Sequence, residues 1–571
     1  MDSWLPKFFL CLRDYDRKTF VHDLAAGVTV GLVALPLAMA FAIASGVQPQ
    51  AGIWCAIITG FLIAVLGGSR CQVSGPTGAF VVVVYGIIQR HGIDGLYICT
   101  MMAGVLLLLL GATGMGTAVK FFPFPVVLGF TNGIAVLIAS TQLKDFFGLR
   151  IDKMPGDFLH RLESVVQSLH TLSPFATVMA AATAMLIVVF ARYVKYVPGS
   201  IVALVGGTAA VMLLHPQIET IGTRFGGIPS GLPTFDLPEF KPILIPVLLP
   251  AAITVAMLGA IESLLSAVVA DRMSGDKHNP NVELVAQGVG NIVSPLFGGL
   301  PATGAIARTA TNIRSGAKTP VAAVIHSITM LAIILIAAPL ARYVPLAVLA
   351  GILMVVCYNM GEWREIPGIL KLTKADISVW FFTFALTVFA DLTIAVQVGM
   401  ILAALLYIRK VSQTTTVSEV TDEYIEDGRV HILQDKKIPG YATVFRIHGP
   451  FLFGATDKLD DILARLATLP PIVILRLRNM TAIDATGLAA LEDLADKLHA
   501  TRRTVILCGA REQPARLMHQ AEFEQHVGRE NICANVQQAL DRAATVYQAT
   551  PEYAQHPHRR RSDVAESLTR A

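Results

Sequence analysis

Ser74-Gly75-Pro76-Thr77-Gly78-Ala79-Phe80 and Leu300-Pro301-Ala302-Thr303-Gly304-Ala305-Ile306 nearly spell each other, 226 residues apart. Each interrupts an apolar stretch, and each sets Pro or Gly just ahead of Thr-Gly-Ala. In hydrocarbon, non-helical backbone is tolerated only where protein or a water-lined cavity satisfies its polar groups. Matched interruptions in corresponding places of two halves point to a transporter's binding site. The two copies are therefore read as one repeated device.

Composition agrees with a membrane setting. Of 571 residues, 54% are hydrophobic and 15% charged, and the mean hydropathy is +0.60. A soluble domain carries about a quarter charged residues. Several runs approach the length that crosses ~30 Å of hydrocarbon. The net charge of +4 forms no basic stripe, which argues against nucleic acid as a partner. The seven cysteines include no C-x-x-C pair and read as packing residues, with no metal site. With no nucleophile motif and no phosphate loop, the chain does not read as an enzyme. Met1 to Phe20 mixes charges and lacks the compact apolar core of a cleavable signal.

Fourteen membrane segments are expected. The first half holds 24–44, 50–67, 76–89, 95–115, 123–141, 173–192 and 197–214. The second holds 244–270, 283–298, 303–313, 319–340, 344–358, 374–390 and 393–408. The third and tenth begin at the twin motifs and are too short to cross as helices. Extended lead-ins, Cys71-Gln72-Val73-Ser74 and Gly298-Gly299-Leu300, complete each crossing. With the N-terminus inside, the short inner loops collect most Lys and Arg, among them Arg13, Lys18, Arg70, Lys120, Lys195, Arg272, Lys318 and Lys410. Lys144 and Lys153 fall in a longer outer loop, which weighs little. The expected location is the inner (cytoplasmic) membrane, multi-pass, with both termini cytoplasmic. Seven segments per half is odd, so the repeat is inverted. The third and tenth segments then meet N-terminus to N-terminus near the bilayer centre.

The expected domains are a cytoplasmic segment 1–20, a transport domain 21–410, a polar and irregular linker 411–440, an α/β domain 441–545 and a polar tail 546–571 that holds Arg559-Arg560-Arg561. Within 441–545 the pattern predicts strands at 441–447, 471–478 and 504–508, a helix over 457–469, and another from Asp484 to His499.

Two helix N-termini facing one point make an anion site, because each presents unpaired N–H groups and about half a positive charge. Gly75, Gly78 and Gly304 let a ligand approach the backbone, or else let helices pack closely. Ala79 and Ala305 complete the motifs, and Thr77 and Thr303 offer hydroxyl donors. Arg308 lies inside the tenth segment, where a cation is costly. It binds the anion, sets the local potential, or pairs structurally. Glu262 is deep in the eighth segment, 226 residues after Pro36. It couples anion movement to H+ or Na+, or bridges to Arg308. Asp391, at a loop edge, is a weaker candidate.

The run from Gly259 to Pro320, GAIESLLSAVVADRMSGDKHNPNVELVAQGVGNIVSPLFGGLPATGAIARTATNIRSGAKTP, resembles the hallmark region of the SulP anion permeases. Val33 to Gly46 resembles their first membrane helix, SGPTGAF their third, and the C-terminal α/β domain their STAS domain. The resemblance covers about residues 20–545. It implies a fourteen-helix 7+7 inverted repeat, with segments 1–4 and 8–11 as core, 5–7 and 12–14 as gate, and an elevator-like movement. It implies a homodimer in the bilayer that takes a small inorganic or dicarboxylate anion and a coupling cation, with no cofactor. Family substrates include sulphate, bicarbonate, chloride, oxalate and dicarboxylates. Sodium-coupled bicarbonate members carry Asp where this chain has Glu262, and proton-coupled members often carry Glu. The expectation is thus sulphate uptake by proton symport. Bicarbonate or C4-dicarboxylate symport and an anion channel or exchanger are the alternatives. STAS-like anti-sigma-factor antagonists carry D-S-[ST]-G at a helix start. Asp484-Ala485-Thr486-Gly487 keeps Thr486 as a candidate regulatory phosphosite but has Ala485 at the first hydroxyl position; otherwise Asp484 and Thr486 serve as helix-start residues.

Overall fold

The computed structural model describes residues 4–117, 123–151, 154–194, 198–229, 231–239, 242–390, 392–420 and 438–549. Lys120, Lys153, Lys195, Asp391, the Arg559–Arg561 tail and most of the expected linker lie outside the described residues. The chain divides into two compact units, 1–403 and 404–571.

The first unit is helical. Its helices are α1 (Lys7–Leu12), α2 (Arg17–Ala44), α3 (Pro49–Leu66), α4 (Gly78–Ala112), α5 (Phe124–Phe147), α6 (Phe158–Gln167), α7 (Pro174–Tyr193), α8 (Gly199–Leu214) and α9 (Ile221–Phe225). They continue as α10 (Leu244–Ser274), α11 (Pro280–Val293), α12 (Ile306–Arg314), α13 (Val321–Ala341), α14 (Leu346–Met360), α15 (Ile366–Ile369), α16 (Lys374–Phe389) and α17 (Leu392–Thr414). Among the described residues, eight helices are long and apolar enough to cross a membrane. The expected third and fourth segments are the two helical parts of α4, which meet at Gly92, whose non-helical backbone with φ of 71° suits glycine.

Lipid gives apolar helices no hydrophobic reason to associate, so close backbone contact has to hold them. Glycines supply it. A Cβ at Gly52 of α3 would come 2.0 Å from the Ala38 carbonyl oxygen of α2. One at Gly104 of α4 would come 2.8 Å from the Gly288 carbonyl oxygen of α11, and one at Gly288 would come 2.7 Å from the Gly104 carbonyl oxygen. Gly129 of α5 meets Trp380 of α16, and Gly351 of α14 meets Ala180 of α7, in the same way.

Two short strands interrupt the helices. β1 (Ser74–Gly75) pairs antiparallel with β2 (Thr303–Gly304), with Ser74 opposite Gly304 and Gly75 opposite Thr303. The twin motifs are thus hydrogen-bonded to each other. Buried Asp23 of α2 holds the loop between α12 and α13: its carboxylate accepts from the Lys318 N–H at 2.7 Å and from the Thr319 hydroxyl at 2.5 Å.

The second unit is a five-stranded sheet in the order β3 (Thr416–Glu419), β4 (Ala442–Phe451), β5 (Ile472–Ile483), β6 (Thr504–Cys508), β7 (Ile532–Cys533). Its helices are α18 (Asp460–Ala464), α19 (Ala485–Ala500), α20 (Glu512–Gln520), α21 (Glu524–Val527) and α22 (Val536–Gln548). β3 is antiparallel to β4, and the other pairs are parallel. Both faces are covered, as a parallel sheet requires. Leu491, Leu494 and Leu498 of α19 pack with Leu475 and Leu477, and Ala539 and Ala543 of α22 pack with Ile474 and Ile506.

Three expectations need correction here. The segment read as linker begins with helix to Thr414 and then β3, an edge strand whose alternating Thr416-Val417-Ser418-Glu419 pairs with His448 to Phe445. The helix expected over 457–469 is a 3₁₀ turn, Phe453–Leu459, followed by the five-residue α18. Pro470 and Pro471 close that stretch, because a residue before proline is biased out of the helical region. Strand β4 also runs through Gly449 and Pro450 to Phe451, past the expected end at 447.

Gly104→Leu is expected to reduce the yield of monodisperse protein severalfold, since the added side chain drives backbone from backbone. Gly86→Ala, whose Cβ would meet nothing within 4 Å, is expected to leave yield unchanged. Size-exclusion profiles and thermal melts of the two variants check this.

Candidate anion site

The two motifs start their helices differently. Thr77 is the N-cap of α4, and its extended backbone carries no side-chain cap bond. The matching Thr303 lies in β2, and α12 begins only after Ala305. The Ala305 N–H is taken by the Val73 carbonyl at 2.9 Å, which prolongs the strand pairing and delays the second helix.

The hydroxyls follow the backbone. Thr77 Oγ1 donates to Glu262 Oε2 at 3.0 Å, and both residues are partly open. Thr303 is buried, and its Oγ1 donates to the Gly259 carbonyl at 2.9 Å. Gly75 sits at φ 153°, and a Cβ there would come 2.8 Å from Arg308 Nη1. Gly304 is pressed by Gln72, and a Cβ at Gly78 would meet Met360 Sδ at 3.1 Å, Ile138 Cδ1 at 3.3 Å and Phe41 Cε1 at 3.4 Å. Ala79 and Ala305 are buried in the same turn region.

Arg308 is the third residue of α12 and only 3% exposed. Its Nη2 donates to the Pro76 carbonyl, and its Nη1 has no hydrogen-bond partner. Glu262 is held by Thr77, so Arg308 and Glu262 engage consecutive residues, Pro76 and Thr77, and no ion pair joins them. The structure thereby brings Gly75, Thr77, Gly78, Glu262 and Arg308 to one place. It sets Thr303 and Gly304 behind them as the paired strand.

The frame around the strands is polar. Asn291 Oδ1 accepts from the Ala302 N–H at 2.8 Å, and its Nδ2 donates to the Ala302 carbonyl at 2.9 Å. Thr309 Oγ1 accepts from the Val73 N–H at 3.0 Å, and Asn312 donates to the Cys71 carbonyl at 2.9 Å. Buried Glu283 accepts from the Gly68 N–H, Gln72 and Gln287, each at 3.0 Å. Gln287 also donates to Ser74 Oγ at 3.1 Å. Sequence reasoning had passed over Gln72, Glu283, Gln287 and Asn291. The available signal was the polar i, i+4 spacing of Glu283, Gln287 and Asn291 on one face of a membrane helix. It had also left the apolar walls, Phe41, Ile138 and Met360, unplaced.

In the second unit Asp484 caps α19, accepting from the Gly487 N–H at 2.8 Å and the Phe453 N–H at 3.0 Å. Thr486 is exposed in the first turn.

A pair of strands between helix starts, an intramembrane cation and a threonine-held carboxylate thus sit together inside a polytopic helical membrane protein. Residues 20–383 match the sulfate permease family and 433–539 the STAS domain. The chain belongs to that SulP family of anion transporters, and it is not an enzyme. It is 40% identical to YvdB of Bacillus subtilis, named a putative sulfate transporter, over 91% of this chain and 97% of YvdB. It is 30% identical to the bicarbonate transporter BicA of Picosynechococcus, over 91% and 94% of the two chains. The solved structure of SLC26A9 superposes with a TM-score of 0.83 over 97% of this chain and 94% of that one, at 18% identity, which establishes a shared fold.

Arg308→Ala is expected to lower anion uptake at least tenfold while leaving folded, membrane-inserted protein. A fixed charge in a low-dielectric site acts far more strongly than one in water. Uptake at wild-type affinity and rate would remove Arg308 from the site.

Proposed function

We propose that the protein is a secondary active anion transporter that takes up sulphate with protons through an elevator-like movement. In this reading fourteen segments form a 7+7 inverted repeat, with α12 and the first part of α4 as half-helices. Segments 1–4 and 8–11 carry the anion past the gate, a homodimer sits in the inner membrane, and both termini are cytoplasmic. The observation that carries the reading is the antiparallel pairing of Ser74–Gly75 with Thr303–Gly304. It holds two helix starts together beside Arg308 and Glu262. Gly75, Thr77, Gly78, Ala79, Thr303, Gly304, Ala305 and Arg308 make up the anion site. The 40% identity to YvdB supports sulphate, and the 30% identity to BicA favours bicarbonate as the second reading.

Glu262 is the coupling group. A carboxylate beside a bound anion repels it, and a proton on Glu262 removes the repulsion, so proton and anion bind with positive coupling. The test is uptake by purified protein in liposomes, across labelled sulphate, bicarbonate and a C4-dicarboxylate, with imposed proton or sodium gradients. Sulphate accumulation driven by protons alone is expected. Glu262→Gln mimics the protonated carboxyl, so it is expected to keep anion counterflow and lose proton-driven accumulation. Concentration of substrate by Glu262→Gln to the wild-type level would leave Glu262 a structural residue. Accumulation driven only by sodium would replace the proton.

A further inference from the structure

We infer that His326 is a positioning residue for Arg308. In this assignment its neutral imidazole accepts a hydrogen bond from Arg308 Nη1, directly or through one water, while the anion is bound. The assignment rests on the proposed place of Arg308 in the anion site.

His326 sits in α13, fully buried at 0% exposure, and neither ring nitrogen has a hydrogen-bond partner. Arg308 Nη1, also buried, lacks one too. Buried polar groups are nearly always hydrogen-bonded, and each one left alone costs about 1–3 kcal/mol. A guanidinium N–H is a pure donor and a neutral imidazole offers one acceptor, so the two orphans complement each other.

α3 places them side by side. A Cβ built on Gly75 comes 2.8 Å from Arg308 Nη1 and 3.3 Å from the Ala56 Cα. A Cβ built on Gly60 comes 3.4 Å from the Ser74 carbonyl oxygen and 3.6 Å from His326 Nδ1. Ala56 and Gly60 are four residues apart on one face of α3, a rise of about 6 Å. The cation and the imidazole therefore lie near successive turns of the same face of α3, with Ser74–Gly75 of β1 in contact with both. A Cβ at Gly60 would also come 2.8 Å from Ser327 Oγ, so glycine is what lets α13 approach α3 here.

The consequence is mechanical. Arg308 has one anchor, the Pro76 carbonyl, in the very motif that receives the anion. A second anchor on α13 holds the guanidinium plane when the anion draws on it. Without that anchor Arg308 rotates, and the anion loses a fixed partner.

The test is a double-mutant cycle in liposomes on His326→Leu and Arg308→Ala, reading KM and Vmax for labelled sulphate, or for labelled bicarbonate if the substrate panel selects it. His326→Leu is expected to raise KM about tenfold at little change in Vmax, the scale of a lost hydrogen bond to a charged group. In the Arg308→Ala background the same change is expected to add less than twofold, because coupled residues are not additive. His326→Gln, which restores a neutral acceptor, is expected to return KM to within about twofold of wild type. If His326→Leu does not yield folded protein, His326→Asn, whose amide is too short to reach, takes its place. Additive effects, or no rescue by Gln, overturn the inference alone. No effect of Arg308→Ala on KM overturns the anion-site reading instead.

Discussion

The pairing of Ser74–Gly75 with Thr303–Gly304 is the constraint on which the transport unit depends. Non-helical backbone within a bilayer must find partners inside the protein. Two short strands from corresponding places in the two halves answer that need for each other. Asn291 closes both backbone groups of Ala302, while Thr309 and Asn312 close those of Val73 and Cys71. Only with the strands satisfied in this way can α4 and α12 begin beside them in the interior of the helical unit.

The polar frame needs equally close backbone approach around it. Gly52 against α2, Gly104 against Gly288 and Gly60 against α13 bring α3, α4, α11 and α13 together around the strands. Any of these glycines carrying a side chain would hold the helices apart and strip the strand groups of the side chains that complete them. Small residues and buried amides thus form a single design: the first permits the distance at which the second can bond.

Much of this was legible before any coordinates. The repeated Thr-Gly-Ala motif announced two interrupted segments, and the long run from Gly259 to Pro320 announced the family. The helix positions follow from apolar runs between Pro, Gly and charged residues. What could not be read is instructive. Thr77 and Thr303 look equivalent in sequence, yet Thr77 reaches Glu262 and Thr303 turns to the Gly259 carbonyl. The difference arises from the Ala305–Val73 bond, a contact between residues 232 apart in the chain. Glu283 was hidden for the same reason. Gln287, one turn on, is its local partner; Gly68 and Gln72 lie in the other half, so the helix alone shows only part of what satisfies it. Strand β3 was masked by its polar composition, because an edge strand needs few apolar residues.

The charges of the site are each held by a neutral group. Arg308 rests on a carbonyl, Glu262 on a hydroxyl, and Glu283 on amides, an N–H and, at longer range, a serine. Had Arg308 and Glu262 closed on each other, their attraction in a low-dielectric interior would be strong. An arriving anion would then have to break a formed ion pair before gaining a cation. Neutral partners fix the geometry of each group yet leave its charge uncompensated. An anion bound as proposed would act on Arg308 and on Glu262 separately, attracted by one and repelled by the other. In the proposed function, that arrangement lets the affinity for the anion depend on the protonation of Glu262, which is the physical requirement for coupling an anion to a proton.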